Sequence, residues 1–204
     1  MMVKPKKVVL IGGAGFIGHN LAMLLKDRGH ESVIIDNLAV NNILSFTDIE
    51  VTNRKLYWSI LNQRIDLLHE KNIELNVEDA RNYSAMSLLI GKHNPDVIIQ
   101  LAAVSHANKS NKDPHTTFDH TLRTLENTLD IAKSLSCHVI YFSSSMAYGH
   151  FNGQSVNEET PCNPLGIYGT LKYSGELIVK AYNRAFDIPY TIIRPSALYG
   201  ERCV

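Results

Sequence analysis

The chain has 204 residues, 45% of them hydrophobic, and its 20 Lys+Arg against 20 Asp+Glu give zero formal charge. That is enough apolar material for one sizeable core, and the balance of charge leaves no basic footprint for nucleic acid or an anionic membrane. Cys137, Cys162 and Cys203 lie far apart without metal-ligand spacing, which predicts no metal site and no disulfide scaffold and suits a reducing, cytoplasmic setting. The basic start MMVKPKK precedes an apolar run too short for a secretory leader, and no stretch approaches the roughly 18 residues of a membrane span.

Residues 7–29, KVVLIGGAGFIGHNLAMLLKDRG, read as a buried strand, a glycine turn and an amphipathic helix. Val8, Val9, Leu10 and Ile11 form the continuous apolar run of a parallel strand covered on both faces. Gly12, Gly15 and Gly18 then serve a tight turn, the approach of a pyrophosphate to the backbone, and close packing of helix on strand. The helix carries Phe16, Ile17, Leu21, Leu24 and Leu25 at helical spacing, and it aims free N–H groups and a positive dipole end at the loop. A second strand, 32–35, ends in Asp36, eighteen residues past Gly18. That is near the separation of about 20 at which a carboxylate meets an adenosine ribose 2′-hydroxyl. The acid also repels a 2′-phosphate, so the expected dinucleotide is NAD rather than NADP.

A polar, irregular stretch runs to about residue 51, and 51–71 then show Leu56, Ile60, Leu61, Ile65 and Leu68 at helical spacing. The plain reading is an inserted surface helix, with a functional lid as the alternative. Residues 73–77 make a third strand, 83–93 a helix stopped by Asn94-Pro95, and 97–101 a fourth strand closed by Ala102-Ala103. Small residues at the carboxyl end of a parallel strand leave room for a ligand, although tight packing alone also explains them. A helix is predicted over 116–134, a fifth strand over 139–142, a polar loop over 149–166, a helix over 168–186 and a sixth strand over 189–193. The alternation predicts an α/β fold, a right-handed, doubly wound parallel sheet.

Tyr168 and Lys172 stand at i and i+4 on one helical face. A nearby ammonium stabilises phenolate, so this pair could take a proton from a sugar hydroxyl while hydride moves to nicotinamide; a surface pair on an amphipathic helix gives the same spacing. Ser143-Ser144-Ser145 at the end of the fifth strand could supply a hydroxyl to the same oxygen, one or two of the three facing the site, unless they only cap the next turn.

The set GGAGFIG, IIDNL, EDARN, LAA, FSSSMAYG, EETPCNPLGIYGTLK and RPSALYG, in this order, resembles the extended short-chain dehydrogenase/reductase family, and within it the nucleotide-sugar epimerases and dehydratases. The resemblance implies a Rossmann NAD-binding domain over 1–204. It places Gly12, Gly15, Phe16, Ile17 and Gly18 along the pyrophosphate, Asp36 and Asn37 at the ribose, Asp79 and Ala80 at the adenine, and Leu101, Ala102 and Ala103 along the cofactor. Tyr168 is then the base and Lys172 its partner and ribose ligand. Ser144 takes the active-site Ser/Thr position, with Ser145 as competitor by a one-residue shift.

Three departures from the family pattern stand out. Ser145-Met146 occupy the place of the Asp-Glu pair of the dehydratases, which counts against dehydration. The supporting asparagine of the proton relay is replaced by His120 or Thr121. Family members also continue past the RPSALYG segment into a substrate-binding part not present here. The resemblance therefore implies a nucleotide-sugar epimerase and a homodimer packed through helices such as those at 116–134 and 168–186. The alternatives are a nucleotide-sugar reductase, dehydrogenase or dehydratase, or a non-catalytic NAD-binding protein.

Overall fold

The computed structural model describes residues 4–40, 42–46, 53–104, 107–151, 153 and 155–203. Six parallel strands, β1 (Lys7–Ile11), β2 (Glu31–Asp36), β3 (Glu74–Val77), β4 (Val97–Gln100), β5 (His138–Phe142) and β6 (Tyr190–Ile193), form one sheet in the order β3-β2-β1-β4-β5-β6. This is the predicted doubly wound sheet. Strand order reverses between β1 and β4, and that reversal opens a crevice at their carboxyl ends.

The apolar run of β1 is explained by two cores. Val9 and Ile11 face one side, with Met86 and Ile90 of α3 (Tyr83–His93), Leu125 and Leu129 of α6 (Thr124–Leu135) and Val179 of α7 (Ile167–Phe186). Val8 and Leu10 face the other, with Ala22 of α1 (Phe16–Asp27) and Leu68 of α2 (Arg54–Glu70). Each such buried aliphatic side chain contributes about 1.5–3 kcal/mol, so the sheet is held from both faces. Asn82 caps α3 by accepting from the Ala85 N–H, and Asn94, in the left-handed region before Pro95, ends it.

One expected helix needs correction, and one detail of another was not legible. The helix predicted over 116–134 is broken into α5 (Pro114–Phe118), a π-helical turn over Asp119–Arg123 and α6, and it is preceded by α4 (Ala107–Lys112). The apolar spacing runs unbroken through the turn, so periodicity did not reveal the added residue. Pro114 and the Asp113 cap, whose side chain accepts from the Thr116 N–H, mark where α5 starts. α2, read as a surface helix, turns Leu61, Arg64 and Leu68 inward, and Arg64 is only 1% exposed. The start of that reading, at 51–52, and the end of the irregular stretch before it lie outside the described residues. Among the described residues no helix is long and apolar enough to cross a membrane.

Candidate dinucleotide and active site

A cleft of about 560 Å3 follows the carboxyl ends of β1, β2, β4 and β5. Its walls bring together Gly12, Gly15, Phe16, Ile17, Gly18, Asp36, Asn37, Asp79, Ala80, Leu101, Ala102, Ala103, Ser144, Tyr168 and Lys172. Ser145 is not in the wall: it opens a 3-10 turn over Ser145–Tyr148, and its N–H donates to the Pro195 carbonyl at 3.0 Å. Ser144 thus faces the cleft and Ser145 does not.

At one end the backbone itself builds the cradle. Gly12 has φ +76°, and a Cβ there would stand 2.6 Å from the Ala102 nitrogen. A Cβ on Gly18 would meet the Gly13 backbone at 2.4 Å, so α1 can descend onto the loop only with glycine at this position. Gly15, the N-cap of α1, offers no capping side chain, and no acidic residue occupies the first turn. The first N–H groups of α1 and its positive end therefore face the cleft with room for an anion. This open, donor-rich turn fits a dinucleotide pyrophosphate.

Asp36 ends β2 and accepts from the Ala14 N–H at 2.9 Å and the Leu38 N–H at 2.7 Å. Burial pushes its carboxyl above the usual range, and these two hydrogen bonds oppose the shift. The side chain therefore also ties the glycine loop to the segment after β2. Asn37 stands beside Asp79 in the same wall, and Arg81 pairs with Asp79 at 2.6 Å and with Asp119 at 2.7 Å. The Arg81 hydrogen bonds hold the Asp79 pKa down to about 2, so this wall stays ionised at any working pH. Ala80 is buried behind it, its carbonyl accepting from Asn127 at 2.9 Å.

At the other end the half-buried Tyr168 shares the cleft wall with Ser144, whose hydroxyl accepts from the Met146 N–H at 3.2 Å. Lys172 is only 4% exposed; its ammonium donates to the Phe142 carbonyl at 2.7 Å and lies 5.4 Å from the centre of the Tyr141 ring. Burial lowers its pKa from 10.5 to about 8. The expectation that Lys172 lowers the Tyr168 pKa is not met in this arrangement. The ammonium is committed to a carbonyl, and burial pushes the phenol up, opposed by Ser144. His120, in the π-helical turn, lines the cleft, whereas Thr121 is buried outside the wall with its hydroxyl unpartnered among the described residues.

Behind this end lies a polar network that the motifs did not reveal. Glu176 is fully buried; it accepts from the Ser143 hydroxyl at 2.5 Å and from Arg194 through Nε at 2.8 Å and Nη2 at 2.7 Å. Arg194 also covers the Tyr148 ring at 4.7 Å. Glu176 stands one turn beyond Lys172, a carboxylate on the inward face of a helix, which is the signal that could have found it. The network joins α7 to the ends of β5 and β6 and so fixes Tyr168 relative to Ser144. Arg64, His19 and the segment 195–198, which also bound the cleft or its rim, were missed as well. For Arg64 the signal was a basic residue falling on the apolar stripe of α2.

A family model described as NAD dependent epimerase/dehydratase family matches residues 8–203. A Bacillus subtilis protein described as an uncharacterized UDP-glucose epimerase is 32% identical over 96% of this chain and 58% of its own length. A dTDP-D-glucose 4,6-dehydratase of Dictyostelium discoideum is 26% identical over 97% of the chain and 45% of its own length. The crystal structure of a UDP-glucuronic acid 4-epimerase from Bacillus cereus, in complex with UDP-glucuronic acid and NAD, superposes with a TM-score of 0.79. That structure is 26% identical and is covered over 97% of this chain and 58% of its own. The chain thus spans about half the length of the relatives it matches.

Proposed function

From the premise that the chain belongs to the NAD-dependent epimerase/dehydratase family, with NAD as its cofactor, we propose that residues 1–204 are the NAD-binding domain of a nucleotide-sugar epimerase. The observation that carries this reading is one continuous cleft with a pyrophosphate cradle at one end and the Ser144–Tyr168 hydroxyl pair beside Lys172 at the other. Gly12, Gly15, Phe16, Ile17 and Gly18 hold the pyrophosphate. Asp36 with Asn37 holds the adenosine ribose, Asp79 and Ala80 flank the adenine, and Leu101 to Ala103 line the cofactor's length.

Bound in its oxidised form, NAD supplies a hydride acceptor, then a hydride donor, and a positive charge near the phenol. Tyr168 accepts the proton of the sugar hydroxyl as the C–H bond at the same carbon breaks, and Ser144 orients that oxygen. Tyr168 returns the proton once the keto sugar has turned its other face. Lys172 adds positive charge beside the pair and a donor for the nicotinamide ribose. Met146 next to Ser145 leaves no acid to protonate a departing hydroxyl, which favours epimerisation over dehydration. Incubating the complete polypeptide with UDP-sugars should interconvert epimers, and the denatured protein should release about one NAD per chain. Intact NAD binding with no turnover of any nucleotide-sugar would overturn the reading, and turnover with freely exchanging cofactor would shift it to a reductase or dehydrogenase.

The same reading includes a homodimer. Phe118 is 53% exposed, Leu177 and Phe186 each 49%, and they lie around a groove formed with Leu122, Ile178 and Tyr182 on the outer face of α5, the π-helical turn and α7. Sedimentation should give twice the chain mass, reduced to the monomer by Leu122→Glu; a wild-type monomer at all concentrations rules the dimer out.

A further inference from the structure

After β6 the chain does not leave the molecule. Pro195, Ser196, Ala197, Leu198 and Cys203 line the cleft, so residues 195–203 run along its open side from the Tyr168 end back to α1. Two arginines fasten the far end. Arg202 donates through Nε to His19 Nε2 at 2.9 Å and through Nη2 to Asn20 Oδ1 at 3.0 Å, both on the first turns of α1. Its own carbonyl accepts from Arg64 of α2, through Nε at 3.0 Å and Nη2 at 2.6 Å. His19 Nδ1 is 2.8 Å from the Gly15 carbonyl. That carbonyl can only accept, so Nδ1 carries the proton and Nε2 is free to accept from Arg202. The fastening is therefore built directly on the glycine turn.

Three further features set this segment apart from a loose tail. Arg202 has φ +61°, a left-handed conformation that a non-glycine residue adopts only at a cost. Its side chain is only 13% exposed. Arg64 and Arg202 also bring two positive charges together beside His19: burial first, and then these neighbouring cations, disfavour charge on Arg64 and on His19. Arg202 also pairs with the exposed Glu201 carboxylate at 2.9 Å. A diphosphate at the adjoining turn lies beside these two cations, so the anion and the closed segment stabilise one another.

We propose that residues 195–203 form a strap that retains NAD, with Arg202 as its latch and Arg64 as its anchor. The proposal rests on the cofactor assignment and adds to it a reason for the cofactor to stay bound between the two hydride transfers. Release requires the Arg202 hydrogen bonds to α1 to open first.

The test measures NAD dissociation from this chain by chasing labelled NAD with unlabelled NAD. Arg202→Ala should raise the dissociation rate about tenfold or more and leave association within about threefold, because the latch acts on escape. Arg202→Lys should resemble Arg202→Ala, since one ammonium cannot reproduce the two-pronged contact. A second measurement needs no variant: saturating NAD should slow alkylation of Cys203 about tenfold or more, read by mass spectrometry against Cys162, because the strap closes over the ligand. Dissociation unchanged in both variants, or Cys203 equally reactive with and without NAD, overturns the strap while leaving NAD binding intact. A chain that takes up no NAD by calorimetry overturns the cofactor assignment and the strap together.

Discussion

Tyr168→Phe in the complete polypeptide should lower epimer turnover by about 10²–10⁴-fold, the range for removing a general base, while NAD affinity stays within about threefold. Phenylalanine keeps the half-buried ring and its packing on α7, so the only loss is the hydroxyl that Ser144 contacts. With that oxygen gone, the proton of the sugar hydroxyl loses the acceptor proposed for it. Ser144→Ala should fall between the two, because Tyr168 remains but loses the partner that opposes the upward push of burial on its pKa. Ser145→Ala should behave as wild type, since Ser145 lies outside the wall. Turnover above about a tenth of wild type in Tyr168→Phe rules out the phenol as base, and a larger effect at Ser145 than at Ser144 reverses the register.

The residues legible in the sequence are those whose role is imposed by local geometry. Gly12 and Gly18 could be read because backbone touches backbone there, and Asp36 because it closes a strand at a fixed distance from the glycines. Tyr168 and Lys172 could be read because one helical turn separates them. The strands followed from apolar runs that two cores demand. What escaped was long-range. Glu176 meets Ser143 and Arg194 only after α7 packs on β5 and β6, and Arg64 meets Arg202 across 138 positions of chain. No local pattern encodes such partners; the sole trace is a charged residue on a face that periodicity marks as buried. The π-helical turn was hidden for the opposite reason, because apolar spacing passes through it unchanged. The opposite direction of the Tyr168 shift has the same origin. An i, i+4 spacing puts Lys172 on the right face of α7 but does not say that its ammonium is bound to the Phe142 carbonyl.

Lys172→Met should stabilise this chain by about 2 kcal/mol at pH 7 while removing any function of the ammonium. Lowering an ammonium from 10.5 to about 8 by burial corresponds to about 3 kcal/mol of cost while the group is charged in both folded and unfolded states. Methionine fills a similar volume without that cost and gives back about 1 kcal/mol for the lost bond to the Phe142 carbonyl and the contact with Tyr141. The pH dependence carries the sign. Below about 8 the folded and unfolded lysine are both protonated, and the penalty is present in full. Between about 8 and 10.5 the unfolded chain holds a proton that the folded chain has released, so wild-type stability gains with rising pH. Above 10.5 neither state is charged and the penalty is gone. The advantage of Lys172→Met, read from urea unfolding of both proteins side by side, should therefore be largest at pH 7 and shrink as pH rises through this window. Cys137 and the tyrosines titrate nearby but are common to both proteins and cancel in the difference. A variant less stable than wild type at pH 7, or an advantage that does not change between pH 7 and 10, would mean that the ammonium is not held at a cost. The Lys172 charge beside Tyr168 would then have to be explained by something other than an active site that accepts instability for function.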